Sequence, residues 1–243
     1  STCPMDSLLP GISWLQNLYL QGLRRAGIFH SEEDIMKQLI VFSVCLVLLA
    51  GGSSEANWGL AGRKIVVDPG HGGRNPGAVG PTGLREADAN WRVSTAVKHY
   101  LETRGGAKVL LTRPQNQDVS LAGRVAKANN WGADRFISIH HNASTNPNLK
   151  GVETYCAPGA SWASQDLRNK IQKRLAQGLG TGNLGAKTAN FYVLRNTNMP
   201  AVLVEAGFVS NRYEEARLKD PAYNWKEAWY IYAGIADHFN VKP

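Results

Sequence analysis

Cysteine is scarce in this chain: Cys3, Cys45 and Cys156 are the only three in 243 residues. That is too few for a disulfide-stapled fold or a cysteine-rich zinc module. There is no low-complexity tract and no repeat at a fixed period, which argues against solenoids and propellers. The apolar run over residues 39–50 has twelve residues, well short of the roughly 20 that a membrane-spanning helix needs. Carboxylates are also few, 19 against 27 Lys and Arg, for a net charge of +8. Such a balance points to an anionic partner: nucleic acid, a membrane surface or an acidic polymer. No stacking-aromatic motif or zinc-finger spacing accompanies the charge, so nucleic acid is not the expected partner.

The first part of the chain differs from the rest. From Met36 it reads "MKQLIVFSVCLVLLAGGSSEANWG", with Lys37 before the apolar run and the small residues Ser54 and Ala56 at the −3 and −1 positions of a cleavage site. This is the form of a secretory signal peptide; a buried core helix is the alternative. Cys45 lacks the small-residue context of a lipid-modified cysteine. "SEEDIM" before the run is encodable by a purine-rich stretch just ahead of an ATG. The expectation is therefore that residues 1–35 are an upstream extension outside the translated protein and residues 36–56 a signal peptide. A genuine extension with an amphipathic helix over "ISWLQNLYLQGL" is the alternative. Residues 57–243 then form the mature domain, without stable membrane insertion once the signal is removed. Cleavage removes five carboxylates (Asp6, Glu32, Glu33, Asp34, Glu55) and three cations (Arg24, Arg25, Lys37), raising the net charge to +10. A strongly basic exported protein suits the anionic polymers of a bacterial wall or periplasm.

In the mature part, strands and helices alternate. "KIVVD", "AKVLLTR", "RFISIH", "GVETYC", "FYVLR" and "AVLVEAGF" read as strands. Helices are predicted over 86–104, 120–132 with Ser120 as cap and Gly132 as stop, 161–180 capped by Ser161, and about 225–239. This pattern predicts one α/β domain with a largely parallel twisted sheet of about six strands, covered by helices on both faces. Ligands of such sheets sit beyond the carboxyl ends of the strands.

Four positions there carry chemistry. His71 lies in "DPGHGGRNPG", among glycines that permit tight turns. Glu86 opens the first helix on a stripe with Asn90, Val93, Val97 and Leu101, which should face the sheet; a carboxylate there needs a partner. Glu205 follows four apolar residues in "AVLVEAGF", where an ion pair with Arg85 or Arg195 is the alternative to catalysis. The fourth is one of His140 and His141. Adjacent strand residues point to opposite faces, with His140 on the side of Ser138 and His141 on that of Ile137 and Ile139. Two imidazoles and a carboxylate form the ligand set of a catalytic zinc, with Glu205 available as general base.

"IVVDPGHGG", "G-L-R-E", "SLAGRVAKANNWGADRFISIHHNAS", "GVETY" and "MPAVLVEAGFVSN" together resemble the zinc-dependent N-acetylmuramoyl-L-alanine amidases of the peptidoglycan amidase 3 family, from about Lys64 to Phe239. The resemblance implies one Zn²⁺ per chain held by His71, Glu86 and His140, and Glu205 as the catalytic residue. His141 then reads as a substrate-cleft or loop residue. The implied reaction is hydrolysis of the amide between N-acetylmuramic acid and the L-alanine of the peptidoglycan stem peptide. Anionic wall polymers would be met through the basic surface. A zinc peptidase acting within the stem peptide and a non-catalytic wall-binding module are the competing readings. Some members of this family carry an inhibitory helix after the strand matching "GVETY". Here the interval from Cys156 to Asn190 has room for one structural helix.

Overall fold

The computed structural model describes residues 58–243; the extension and signal peptide expected over 1–56 lie outside the described residues. Six strands form one sheet: β1 (Lys64–Pro69), β2 (Lys108–Leu111), β3 (Arg135–Asn142), β4 (Val152–Cys156), β5 (Asn183–Thr188) and β6 (Ala201–Phe208). Their order is β2-β1-β3-β6-β4-β5. The first four in that order are mutually parallel, while β4 runs antiparallel to β6 and carries β5 parallel to itself. The helices are α1 (Glu86–Thr103), α2 (Leu121–Trp131), α3 (Trp162–Gly178), α4 (Tyr192–Asn196), α5 (Arg212–Lys219) and α6 (Pro221–His238).

Both faces of the sheet are covered, as the alternation predicts. On one face, Ile65, Val67, Ile137, Ile139, Val202 and Val204 pack against α1, α3 and α6. The α1 stripe behaves as its spacing requires: Glu86, Asn90, Val93, Val97 and Leu101 are all buried. Burial of each of its three aliphatic side chains contributes about 1.5–3 kcal/mol. On the other face, Val66, Phe136 and Leu203 meet Val125 and Ala128 of α2 and Val193 and Leu194 of α4. This second cover is the smaller, and it leaves a cleft near the carboxyl ends of β1, β3 and β6.

Caps follow the sequence. Ser120 Oγ accepts from Gly123 N, and Gly132 closes α2 with φ 65°. Ser161 accepts from Ser164 N. α6 starts at Pro221, earlier than expected, with Asp220 capping Ala222 N; Pro at the first helical position is pre-set for this role. α5, which periodicity did not show, is capped by Asn211.

One strand assignment is corrected. "FYVLR" is not a strand: Phe191 stands at the N-cap position of the short helix α4, and the sixth strand is "NLGAKT", residues 183–188. In α4 only the adjacent Val193 and Leu194 are buried, a one-sided packing that a helical turn provides. "NLGAKT" is an edge strand with half-buried and exposed side chains. It owes its conformation to the ladder with β4, so tertiary pairing overrides its weak propensity. The interval between Cys156 and Asn190 thus holds one helix and one strand. That helix, α3, is anchored in the core by Leu167, Ile171 and Leu175. Among the described residues no helix is long and apolar enough to cross a membrane.

The end of β1 is fixed by two buried arginines. Arg124 Nη1 donates to Asp68 Oδ1 at 2.7 Å and to the Pro69 carbonyl at 2.6 Å, and Nη2 reaches the His71 carbonyl at 2.6 Å. Arg113 donates to the carbonyls of Pro69, Gly70 and Ala87 at 2.9–3.0 Å. Burial, with the nearby charge of Arg124, pushes its pKa down to about 10. Removing one member of a buried pair leaves the other charge uncompensated. Arg124→Met is therefore expected to lower the unfolding free energy by about 3–5 kcal/mol, read as a drop in the denaturant midpoint.

At the opposite end of the sheet, His238 Nδ1 donates to Asp166 Oδ2 at 2.6 Å, and its Nε2 accepts from Arg135 Nε at 2.8 Å. The ring is thereby held neutral. Burial, aided by the Arg135 charge, lowers its pKa from 6.5 against the pull of Asp166. A depressed pKa gives stability that is complete above the unfolded value and lost as pH falls through the folded one. Denaturation at a series of pH values is expected to show the parent losing stability below about pH 6.5, with a shallower decline in His238→Phe.

Candidate metal centre

The loop after β1 presents His71 with the left-handed φ of 57°, an uncommon conformation for a non-glycine residue. The arginine bonds to the carbonyls of Gly70 and His71 hold it there. Its Nδ1 lies 3.2 Å from Asn75 Oδ1, an atom that also accepts from Gly77 N. Nδ1 therefore carries a proton, and Nε2 is turned toward Glu86 Oε2, 3.1 Å away. Fixing one ring nitrogen by a hydrogen bond is how proteins orient a ligating histidine.

Glu86 stands at the first position of α1. Oε2 accepts from Ala78 N at 3.0 Å, and Oε1 lies 2.9 Å from His140 Nδ1 and 3.3 Å from Asn90 Nδ2. Its pKa falls well below the carboxylate range, because the bonds and charges of His140 and His71 outweigh the burial that would raise it. The same partnership raises His71 against its own burial. His140 enters from β3, its ring edge-on to His71 at 4.9 Å between centroids. It packs on Gly70, where an added Cβ would fall 2.2 Å from the imidazole; only glycine admits the ring.

His71, Glu86 and His140 thus offer three ligand atoms within 4.8 Å of one another. Two imidazoles and a carboxylate, with one ring already oriented through its remote nitrogen, suit a zinc-type ion, and the residues fit such a group. The geometry separates the two neighbouring histidines. His140 faces the cluster, whereas His141 is fully buried, with Nδ1 2.7 Å from Asn90 Oδ1 and Nε2 3.1 Å from Glu227 Oε1. The expectation that His141 belongs to the cleft or a loop is corrected: it is a core histidine facing α1 and α6, on the side of Ile137 and Ile139. Its partners lie 51 and 86 residues away in sequence, so nothing near it announces them.

Glu205 sits on β6 directly opposite His140 in the ladder. Neither Arg85 nor Arg195 pairs with it: Arg85 bonds the Gly73 carbonyl and faces Asp88, and Arg195 lies over Tyr192. Its Oε2 is buried without a protein hydrogen-bond partner. Burial, then the charges of Glu86 and Glu153, raise its pKa well above the carboxylate norm. The cleft at this point has a volume of about 700 Å³ and is lined by His71, His140, Glu205, Leu121, Phe191 and Tyr192 among others. Sequence reasoning missed the aromatic wall, because "FYVLR" read as a strand. It also missed Asp68, whose carboxylate accepts from Arg124, Thr112 and Ser138 beneath the cleft.

The N-acetylmuramoyl-L-alanine amidase family (Amidase_3) matches residues 65–237. The sporulation-specific N-acetylmuramoyl-L-alanine amidase of Bacillus subtilis (strain 168) is 37% identical over 180 residues, covering 74% of this chain and 69% of the relative. N-acetylmuramoyl-L-alanine amidase LytC of the same organism is 39% identical over 181 residues, and the match spans 74% of this chain but only 36% of LytC. Among solved structures, the catalytic domain of the amidase CwlV from Bacillus (Paenibacillus) polymyxa var. colistinus is similar with a TM-score of 0.70 at 36% identity, covering 74% of this chain and 99% of that one. The N-acetylmuramoyl-L-alanine amidase from Clostridium difficile 630 gives a TM-score of 0.71 at 31% identity, covering 76% and 100%. With its metal-competent cluster, its cleft and its sheet order in place, the chain belongs to the N-acetylmuramoyl-L-alanine amidase family.

Proposed function

We propose that this chain is a zinc hydrolase of peptidoglycan, cleaving the amide between the lactyl group of N-acetylmuramic acid and the L-alanine of the stem peptide. The observation that carries the reading is the placement of Glu205, with an unpartnered buried oxygen, directly across the ladder from the His71–Glu86–His140 cluster. Family membership and the amidase names of the relatives support the substrate. The signal-like segment and the basic composition support action outside the cytoplasm, at the wall or in the periplasm. The zinc ligands are His71, Glu86 and His140, one ion per chain.

Zinc supplies a Lewis acid that polarises a carbonyl and brings the pKa of a water to about 7. The chain's own residues do the rest. Glu205 takes a proton from the attacking water and returns it to the alanine nitrogen as the C–N bond breaks, so the carboxylate is restored. Asn75 keeps the His71 proton on Nδ1, and Phe191, Tyr192 and Leu121 offer an apolar wall to the sugar and lactyl group.

Digestion of isolated wall followed by mass analysis tests the reaction. Intact stem peptides with an L-alanine N-terminus are expected. Fragments cut within the stem would instead identify a peptidase, and no release a binding module. Glu205→Gln is expected to keep one zinc per chain and an undiminished melting temperature, since no ion pair is broken. Its hydrolysis rate should fall by about 10²–10⁴; metal analysis, melting and wall hydrolysis on one preparation check this. Hydrolysis near the parent rate would remove Glu205 from the mechanism.

A further inference from the structure

Three polar side chains that the reaction does not use run through the core behind the metal cluster. Asn90, His141 and Glu227 are each fully buried. The Asn90 amide donates from Nδ2 to the Gly70 carbonyl at 3.2 Å and to Glu86 Oε1 at 3.3 Å. A carbonyl only accepts, so this end of the amide is the NH₂, and Oδ1 faces His141 Nδ1 at 2.7 Å. His141 Nδ1 must then carry a proton. At the other side of the ring, Nε2 and Glu227 Oε1 lie 3.1 Å apart and share one further proton. On either atom it leaves the histidine–glutamate pair neutral as a whole, which makes its burial tolerable.

The string has a direction. Glu227 belongs to α6, His141 to β3 and Asn90 to α1. It ends on two atoms of the metal site: the carbonyl beside His71 and the carboxylate oxygen that faces His140. His141 N–H itself approaches the same oxygen at 3.4 Å. Asn90 satisfies both atoms only while its Oδ1 is anchored; released, the amide is free to rotate about its last torsion.

We propose that Glu227, His141 and Asn90 are positioning residues that hold the Glu86 carboxylate in its ligating orientation, so that metal affinity depends on the docking of the C-terminal helix. The inference rests on the metal reading above. Hydrogen-bond partners behind a metal ligand are typically worth about 10–100-fold in affinity.

The test is zinc affinity of the full chain, stripped with a chelator and titrated in competition with a chromophoric zinc indicator, with circular dichroism confirming the folded state of each metal-free sample. Glu227→Leu fills the space without an acceptor and is expected to weaken zinc about 10–100-fold. Glu227→Gln donates to Nε2 of a neutral His141 and is expected to restore affinity to within about threefold of the parent. Asn90→Ala cuts the string at its other end, should match Glu227→Leu, and decides the matter if the leucine variant does not fold. Parent-like affinity in folded Glu227→Leu or Asn90→Ala overturns the proposal, as does a glutamine variant as weak as the leucine one. A parent chain that takes up no zinc sinks the metal reading itself, a separate result.

Discussion

The site depends first on the buried contact between Arg124 and the end of β1. One guanidinium meets the Asp68 carboxylate and the carbonyls of Pro69 and His71, while Arg113 takes those of Pro69, Gly70 and Ala87. Backbone carbonyls at a strand end have lost the ladder and, when buried, must find donors elsewhere. The two arginines provide donors in a fixed planar fork, and the loop is pinned while it turns through the left-handed conformation at His71. Glu86 and His140 are placed by ordinary helix and strand geometry. Only the first histidine rides on a loop, and that is where the cations are concentrated.

A second constraint concerns charge around Glu205. It lies between two other carboxylates, Glu86 and Glu153, both well supplied with donors. Glu86 has His71, His140, Ala78 N and Asn90. Glu153, its cross-strand neighbour on β4, accepts from Tyr155, from Lys187 at 2.7 Å and from Asn142 at 3.3 Å. Glu205 Oε2 receives nothing from the protein. A buried acceptor without a donor is costly. Among the described residues Ser94, Asn224, Glu227 and Tyr232 also bury a side-chain oxygen without a partner, but of these residues only Glu205 lines the cleft, where the fold gives up stability for chemistry.

The α/β class, the doubly covered sheet and the inward face of α1 were legible because each rests on local periodicity and caps: Val93, Val97 and Leu101 recur at helical spacing, and Ser120 and Gly132 bracket α2. The candidate ligands were legible as residue types at strand ends, but the choice of His140 over His141 leaned on family resemblance. Alternation put the two on opposite faces without saying which face held the cleft. What stayed hidden depends on distant partners. Glu227 is invisible as a histidine partner across 86 residues. "NLGAKT" is a strand only because β4 lies beside it, and "FYVLR" is a helical turn because just two adjacent side chains find the sheet.

Gly70 carries a consequence for how this sequence can change. The His140 ring occupies the place where any side chain at position 70 would begin. Even a single methyl there would displace the imidazole, since Gly70 directly follows β1 and its N–H is held by the Ile139 carbonyl next to His140. Substitution at this position thus separates two properties that usually fail together. A lineage could keep the fold, the sheet and the cleft while losing the cluster in one step, and restoring the cluster would require return to glycine rather than compensation elsewhere.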